Sequence, residues 1–323
     1  MKSFRLLRLM FLLFLFGTQF LNAQPQTQPP DAKSAKESRV TTPSNAGTFT
    51  LVGAGDIAGC SSLAGAEATA RLIESIPGTV FAAGDLAYER GTYEEFEHCY
   101  QPTWGKFKDR TRPAPGNHEY VSADSHASGY FQYWDKQAGD PAKGYYSYDL
   151  GAWHIIVLNT NCGAKQLGGC GEGSPEEEWL RADLAAHAKV CVLAYGHHAL
   201  FSSGLLGKHA RHLELEPFWA DLYAAHADVM IAAHEHSYER FMPQNPRGTA
   251  DPQNGMREFV VGTGGRSHTL LGAGQPNSEV RNDDTYGVLK LTLSPQKYTW
   301  EFIPEAGKTF RDSGEGSCHN ASQ

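Results

Sequence analysis

Five short clusters of metal-binding residue types stand in order along the chain. They are Gly55-Asp56, Gly84-Asp85-Leu86-Ala87-Tyr88, Gly116-Asn117-His118-Glu119, His197-His198 and Ala233-His234-Glu235-His236. Each ends or follows an apolar, β-branched or Gly-rich run, where a strand stops and a loop begins. Asp, Asn, His and Tyr delivered to the same end of several strands make a mixed oxygen and nitrogen donor set. The clusters offer about seven ligands, whereas a single catalytic zinc takes about three from the protein, so the set suits two adjacent ions. A lone Gly-Asp after a strand is usually only a turn closed by an Asx hydrogen bond; five clusters in order are a stronger signal. Two other chemistries are excluded. A His-Glu-x-x-His zinc helix is missing, because neither His118-Glu119 nor His234-Glu235 is followed by histidine at the required spacing. The chain also has no Gly-x-Ser-x-Gly nucleophile elbow.

The elements that must position these residues can be read from the apolar pattern. Phe49 to Gly55 is a buried strand ending at Asp56, and Thr79 to Ala83 is a second ending at Asp85. Between them, Ala64 to Ser75 has helical periodicity, with Ala68, Leu72 and Ile76 near one face. A β-α-β unit of this kind implies parallel strands and a right-handed crossover. Tyr93 to Tyr100 forms a short helix, and Pro113 and Pro115 bracket an extended segment that delivers Asn117 and His118. Tyr145 to Tyr148 and His154 to Leu158 are strands around a turn at Asp149 to Ala152. Ser174-Pro175 followed by Glu176 and Glu177 marks a helix start that runs to about His187. Val190 to Tyr195 is a strand ending at His197, Leu213 to Ala225 a helix, and Asp228 to Ala233 a strand ending at His234. Glu258 to Val261, Val288 to Leu293 and Tyr298 to Phe302 complete a second sheet.

Lys2, Arg5 and Arg8 precede an apolar run from Leu9 to Phe16, and Leu21-Asn22-Ala23 offers a small-residue cleavage site. This predicts a secretory signal peptide over 1–23. The apolar run falls short of the roughly 20 residues of a membrane span, and Gly17, Thr18 and Gln19 interrupt any extension through Phe20 and Leu21. Residues 24–47 are rich in Pro, Gln, Ser, Thr and Lys and read as a disordered linker. Residues 48–323 suit one large α/β catalytic domain. The formal charge of −8 disfavours nucleic acid and anionic membranes as partners, so no nucleic acid and no stable membrane association after cleavage is expected. Six cysteines, all beyond the leader, favour disulfides in an exported protein. Cys162 and Cys170 flank a Gly-rich loop and suit a local bridge; a Cys60–Cys99 bridge would brace the site. Cys191, within Val190 to Ala194, reads as a free buried thiol, with pairing to Cys318 an alternative that spacing does not support.

The order and spelling of the five clusters resemble the calcineurin-like metallophosphoesterases. The tyrosine of Gly84-Asp85-Leu86-Ala87-Tyr88 narrows the likeness to the purple acid phosphatase-like branch. The likeness runs from about Thr48 to His319, and stretches such as Tyr100 to Trp104, Arg112 to Tyr120 and Arg257 to Arg266 look like the small secreted bacterial members. It implies a four-layer α/β/β/α sandwich of two mixed sheets flanked by helices. Larger purple acid phosphatases carry an N-terminal β-sandwich, for which this chain has no room.

Carried over motif by motif, the resemblance assigns one metal to Asp56, Asp85, Tyr88 and His236, and the other to Asp85, Asn117, His197 and His234. Asp85 has two carboxylate oxygens with which to bridge ions about 3.5–4 Å apart. Two carboxylates and a phenolate suit Fe(III), beside a divalent Zn, Mn or Fe. Such a pair would outweigh the three anionic ligands, attract phosphate and acidify bound water, so that a metal-bound hydroxide attacks phosphorus in line. The family uses the position of His118 to hold phosphate or protonate the leaving group, and His198 and His209 are expected to face substrate, with His212 a weaker candidate. Two departures stand out: Ala233 replaces the glycine of Gly-His-x-His, where a methyl could tilt His234, and Ala199 replaces the proline of His-x-Pro. Spacing to Phe201-Ser-Ser-Gly204 favours His197 over His198 as ligand. The expectation is a secreted dinuclear hydrolase of phosphate esters, most simply a small-molecule phosphomonoesterase. A phosphodiesterase on the same site and a non-catalytic secreted binding protein are the alternatives.

Overall fold

The apolar runs pair into two large mixed sheets. In the computed structural model, which describes residues 47–121, 125–187, 191–205 and 211–319, the first sheet has six strands. Their order is Asp312–Ser317, Lys297–Pro304, Gly287–Ser294, Phe49–Ala54, Thr79–Ala83 and Thr111–Ala114. The second has seven, in the order Ser278–Asn282, Tyr238–Phe241, Arg257–Val261, Val229–Ala232, Cys191–Tyr195, Trp153–Val157 and Tyr146–Leu150. The leader and linker expected over 1–47 lie, apart from Gly47, outside the described residues, as does His209. Among the described residues no helix is long and apolar enough to cross a membrane.

Side-chain alternation sets the layers. Trp153, Ile155, Val157, Leu193, Tyr195 and Ile231 face the first sheet and share its core with Leu51, Phe81, Leu289 and Leu291. Their neighbours Ile156, Val192, Ala194 and Met230 point the other way, onto Leu180, Phe218, Trp219 and Leu222 of the helices Pro175–Ala186 and Glu216–Ala224. Helix Ala64–Glu74 joins the first core through Ala66, Ala70 and Ile73. That buried face is turned from the predicted stripe, since Ala68 and Leu72 are only half-buried. The helix start at Ser174 has the expected cap, its Oγ accepting from Glu177 N at 3.3 Å with Pro175 in the first turn. Glu176 does more than face the helix dipole: it is fully buried and accepts the Asn159 N–H at 2.7 Å.

Two strand assignments need correction, and one strand was not expected. Arg257–Val261 runs parallel to Val229–Ala232 in the second sheet as expected, whereas Gly287–Ser294, antiparallel to Phe49–Ala54, and Lys297–Pro304, antiparallel to Gly287–Ser294, extend the first. Alternation fixes which face of a strand is buried but not which strand lies beside it. Asp312–Ser317 has a sequence with little strand preference, yet it pairs with Lys297–Pro304. Aromatic cover explains it: a Cβ at Gly314 would lie 2.3 Å from the Trp300 ring and one at Gly316 2.4 Å from the Tyr298 ring, so each ring lies over a bare glycine. That strand also carries Cys318 to Cys191. The predicted free thiol is therefore a disulfide, Cys191–Cys318, joining residues 127 apart. Cys162–Cys170 and Cys60–Cys99 are bonded as expected.

One strand in from the edge of the second sheet, His154 is buried with Nδ1 2.9 Å from Asp149 and Nε2 2.7 Å from Asp183. Both ring nitrogens donate to carboxylates, which suits an imidazolium and leaves no lone pair for a metal. Burial opposes that charge, but the bonds to Asp183 and Asp149 outweigh it and the His154 pKa is raised. Burial raises and His154 lowers the Asp183 pKa, with a net fall. A raised histidine stabilises below its unfolded pKa of about 6.5 and loses that contribution as pH climbs through the folded value. The lowered Asp183 contributes above about pH 3.9 and is lost as pH falls through its folded value. The difference in unfolding free energy between the wild type and His154→Gln should therefore be largest between these limits. It should shrink as pH rises past 6.5, which denaturant titration across pH will check.

Candidate metal centre

The predicted donors meet where the two sheets present the carboxyl ends of their parallel strands, a common location for sites in α/β folds. Asp56, Asp85 and Asn117 follow Phe49–Ala54, Thr79–Ala83 and Thr111–Ala114, which are parallel neighbours. His197 and His234 follow Cys191–Tyr195 and Val229–Ala232, also parallel. To turn inward at once, Asp56, Asp85 and His234 adopt left-handed backbone at φ 58°, 52° and 71°. Such conformations cost non-glycine residues about 1–3 kcal/mol each and persist only where neighbours impose them. Here Asp56 N donates to Gly84 O at 3.1 Å, Ile57 N to Asp85 O at 3.0 Å and His234 N to Asp56 Oδ2 at 2.8 Å. Ala233 is accommodated because Gly55 opposite it has no side chain; a Cβ there would lie 2.5 Å from the Ala233 methyl.

The donors form two groups that share one oxygen. In the first, Tyr88 Oη lies 2.6 Å from Asp56 Oδ1, 3.1 Å from Asp85 Oδ2 and 3.2 Å from His236 Nε2. In the second, His197 Nε2 lies 3.2 Å from the same Asp85 Oδ2, 3.1 Å from Asn117 Oδ1 and 3.1 Å from His234 Nδ1. The other Asp85 oxygen, Oδ1, accepts the His118 N–H at 2.8 Å. A single carboxylate oxygen thus faces both groups, rather than one oxygen facing each. Asp56, Asp85 and Asn117 follow strands of the first sheet, Tyr88 sits in a small two-stranded sheet beside Ala58–Gly59, and every imidazole flanks a strand of the second.

The histidine tautomers suit a cation. His197 Nδ1 donates to the Ala83 carbonyl at 2.9 Å, and His236 Nδ1 is held by Ser267 Oγ at 2.7 Å. Metal-ligating histidines use their outer nitrogen in this way and turn the inner lone pair to the ion. Inner lone pairs here meet carboxylate, carbonyl and imidazole acceptors, an arrangement that only positive charge makes favourable. Among the protein groups alone, a proton supplies part of it. Burial disfavours a charged His197, but Asp85 outweighs burial and pushes its pKa up to about 9. Burial and then the His197 charge bring His234 down to about 3. Burial raises the Asp56 and Asp85 carboxyls, yet His236 and His197 respectively hold them below the ordinary range. Burial, then the charges of Asp56 and Asp85, push the Tyr88 phenol well above its ordinary 10.0.

His198 stands apart from the shared oxygen. Thr160 Oγ accepts the backbone N–H groups of His197 and His198 at 3.1 and 2.9 Å, so its own proton goes to His198 Nδ1 at 2.9 Å. This arrangement suits a His198 ring that carries its hydrogen on Nε2. Its ring packs against His234 and His212, with centroids 4.6 and 4.3 Å apart. Together with Asn117, Tyr120, Asn161 and Lys165 it lines a cleft of about 850 Å³ beside the centre. His118 projects Nε2 to 3.9 Å from Asp85 Oδ2 and donates through Nδ1 to Glu89 O at 2.6 Å. Sequence reading missed Thr160, Ser267 and Glu119. Thr160 and Ser267 have no local signal. Glu119 stands at the end of Gly-Asn-His-Glu, where spacing tests it only against a zinc-protease motif.

Residues 49–238, more than half of the chain, match the calcineurin-like phosphoesterase family model, and the chain belongs to that family. It is similar to probable inactive purple acid phosphatase 1 of Arabidopsis thaliana, 25% identical over 265 residues covering 69% of this chain and 41% of that protein. Purple acid phosphatase 15 of the same plant is 26% identical over 208 residues, covering 54% of this chain and 38% of that protein. The chain thus spans less than half the length of these curated relatives. In structure it is similar to purple acid phosphatase PPD1 from yellow lupin seeds, with a TM-score of 0.68 at 19% identity over 84% of this chain and 54% of that one. GAP50, the anchor in the inner membrane complex of Plasmodium, gives 0.63 at 12% identity over 84% and 89%. These likenesses are of fold.

Glu119 holds the loop that presents Asp85. Fully buried, it accepts Asp85 N at 3.0 Å and Gly116 N at 2.7 Å on one oxygen, and Leu86 N at 2.8 Å on the other. Burial and then the Asp85 charge push its pKa up to about 7, while these N–H groups pull it down. Glu119→Gln turns an amide NH₂ against at least one of those donors, and each buried donor left unsatisfied costs about 1–3 kcal/mol. Chemical denaturation should show a loss of that size, and calorimetric zinc titration should show weaker binding.

Proposed function

We propose that this chain is an exported, dinuclear metal-dependent hydrolase of phosphate monoesters. The observation that carries the reading is the single oxygen Asp85 Oδ2 lying between two groups of metal-binding side chains. Asp56, Asp85, Tyr88 and His236 would hold Fe(III), and Asp85, Asn117, His197 and His234 a divalent Zn, Mn or Fe. Such a pair supplies Lewis acidity toward a phosphoryl group and acidifies water. Fe(III) is favoured at Tyr88 because burial and then the carboxylate neighbours oppose a phenolate, which a hard, highly charged ion would stabilise.

The chain's own residues supply the rest. His118, with Nδ1 committed to Glu89 O, presents Nε2 to the centre and gives its proton to the departing oxygen. His198 donates its Nε2–H to a phosphoryl oxygen, and its Thr160 bond holds the ring for that purpose. Burial and the neighbouring His197 charge keep His198 neutral, its pKa well below the ordinary value. The cleft beyond Asn117 and His198 receives the leaving group. Three disulfides support export, with cleavage leaving a mature chain that starts near Gln24. The relatives named purple acid phosphatases support the choice of phosphomonoesters.

Asp85→Ala should lose both metals and turnover, measured by metal analysis of exported protein and hydrolysis of 4-nitrophenyl phosphate. Two metals retained in that variant would overturn the shared ligand. Faster hydrolysis of bis(4-nitrophenyl) phosphate than of the monoester by the wild type would make it a diesterase, and no turnover with two metals bound would make it a binding protein. The iron-loaded wild type should absorb visible light and Tyr88→Phe should bleach it; an active, colourless iron form would remove Tyr88 from the ligand set.

A further inference from the structure

Three residues, Arg266, Glu89 and His118, close a ring of contacts with Tyr88. The Arg266 guanidinium carbon lies 5.0 Å from the Tyr88 ring centroid, within cation–π range. The His118 ring lies against the same phenol at 4.4 Å between centroids. Glu89 joins the two, its side chain paired with Arg266 Nη2 and its carbonyl oxygen accepting from His118 Nδ1 at 2.6 Å. The ring is anchored on both sides. Arg266 N donates to Asp56 O at 3.0 Å, and its stem follows a track that Gly59 leaves free, where a Cβ would lie 2.7 Å from Arg266 Cδ. Glu95 grips the other side, accepting Glu89 N at 2.7 Å, Arg90 N at 3.0 Å and Thr92 N at 3.0 Å.

We infer that Arg266 and Glu89 are positioning residues for His118: they aim the Glu89 carbonyl so that it fixes the histidine tautomer and directs Nε2 at the leaving group. The inference rests on the acid role assigned to His118 above. Glu89 is 58% exposed, so the ion pair adds little to stability. What it controls is direction. A carbonyl that drifts releases the imidazole to rotate or change tautomer, and a misplacement of about 1 Å can cost 10²-fold in rate. Of the two nitrogens of His118, only Nε2 faces the centre, so a fixed Nδ1–H keeps the transferable proton on the correct side.

Two measurements on the full exported chain test this. The first is ¹⁵N NMR of the histidine rings without added metal, with His118 assigned by comparison with His118→Ala. The wild type should show the Nδ1–H form, and Arg266→Gln and Glu89→Gln should show a mixture while Arg266→Lys restores much of the wild-type signal. An unchanged tautomer in both glutamine variants overturns the clamp, whatever the kinetics show. The second compares kcat of metal-loaded protein on phenyl phosphate, a poor leaving group, with 2,4-dinitrophenyl phosphate, an activated one. Arg266→Gln should lose about tenfold or more on the first and little on the second, and should add almost nothing in a His118→Ala background, where the acid and its roughly 10²–10⁴-fold contribution are already gone. Equal losses on both substrates, or full additivity with His118→Ala, would overturn the positioning role. If His118→Ala alone shows no leaving-group dependence, the acid reading fails, and the NMR result still decides the clamp.

Discussion

Asp85 is almost completely buried and carries a charge that burial opposes, so everything around it must make that charge tolerable. One oxygen is held by a backbone N–H and the other faces Tyr88 and His197. The backbone on either side of the carboxylate is gripped by Glu119. An unpaired buried carboxylate would be prohibitively costly, so partner groups must arrive together. The shared direction of the strands serves this need: their carboxyl ends bring Asp56, Asn117, His197 and His234 together around it.

The same demand explains the small residues of the motifs. A Cβ at Gly116 would lie 2.2 Å from Asp85 Oδ1, so the residue before Asn117 has no room for a side chain. Left-handed backbone at three donors is the cost of turning sharply from strand to centre. The hydrogen bonds between neighbouring turns spread that cost over both sheets. The polar groups of the centre therefore position one another, and the hydrophobic layers beneath supply a rigid base.

Much of this was legible because each donor stands directly after a buried apolar run. Period and strand ends placed Asp56, Asp85, His197 and His234 on the correct loops, and the Ser174-Pro175 helix start was read correctly. Partnership was not legible. Nothing in Val288 to Leu293 says that it lies beside Phe49–Ala54 and not beside Arg257–Val261. The glycines of Asp312–Ser317 concealed a strand whose stability comes from Trp300 and Tyr298 on its neighbour, and with it the Cys191–Cys318 bond. The supporting residues Thr160, Ser267 and Arg266 were obscure for a related reason: each acts through a contact between distant segments that spacing cannot report.

The division of donors between the sheets has a mechanical meaning. The carboxylate and amide donors follow strands of one large sheet and the imidazoles flank strands of the other, so neither large sheet alone gathers the whole donor set. Ions bound between them would act as rivets through the layered core, and their binding free energy would be felt as resistance to the sheets sliding apart. Chelation would then loosen the seam between the layers before it disturbed either layer itself. Metal supply would then set the stiffness of the seam between the layers as well as the chemistry at it.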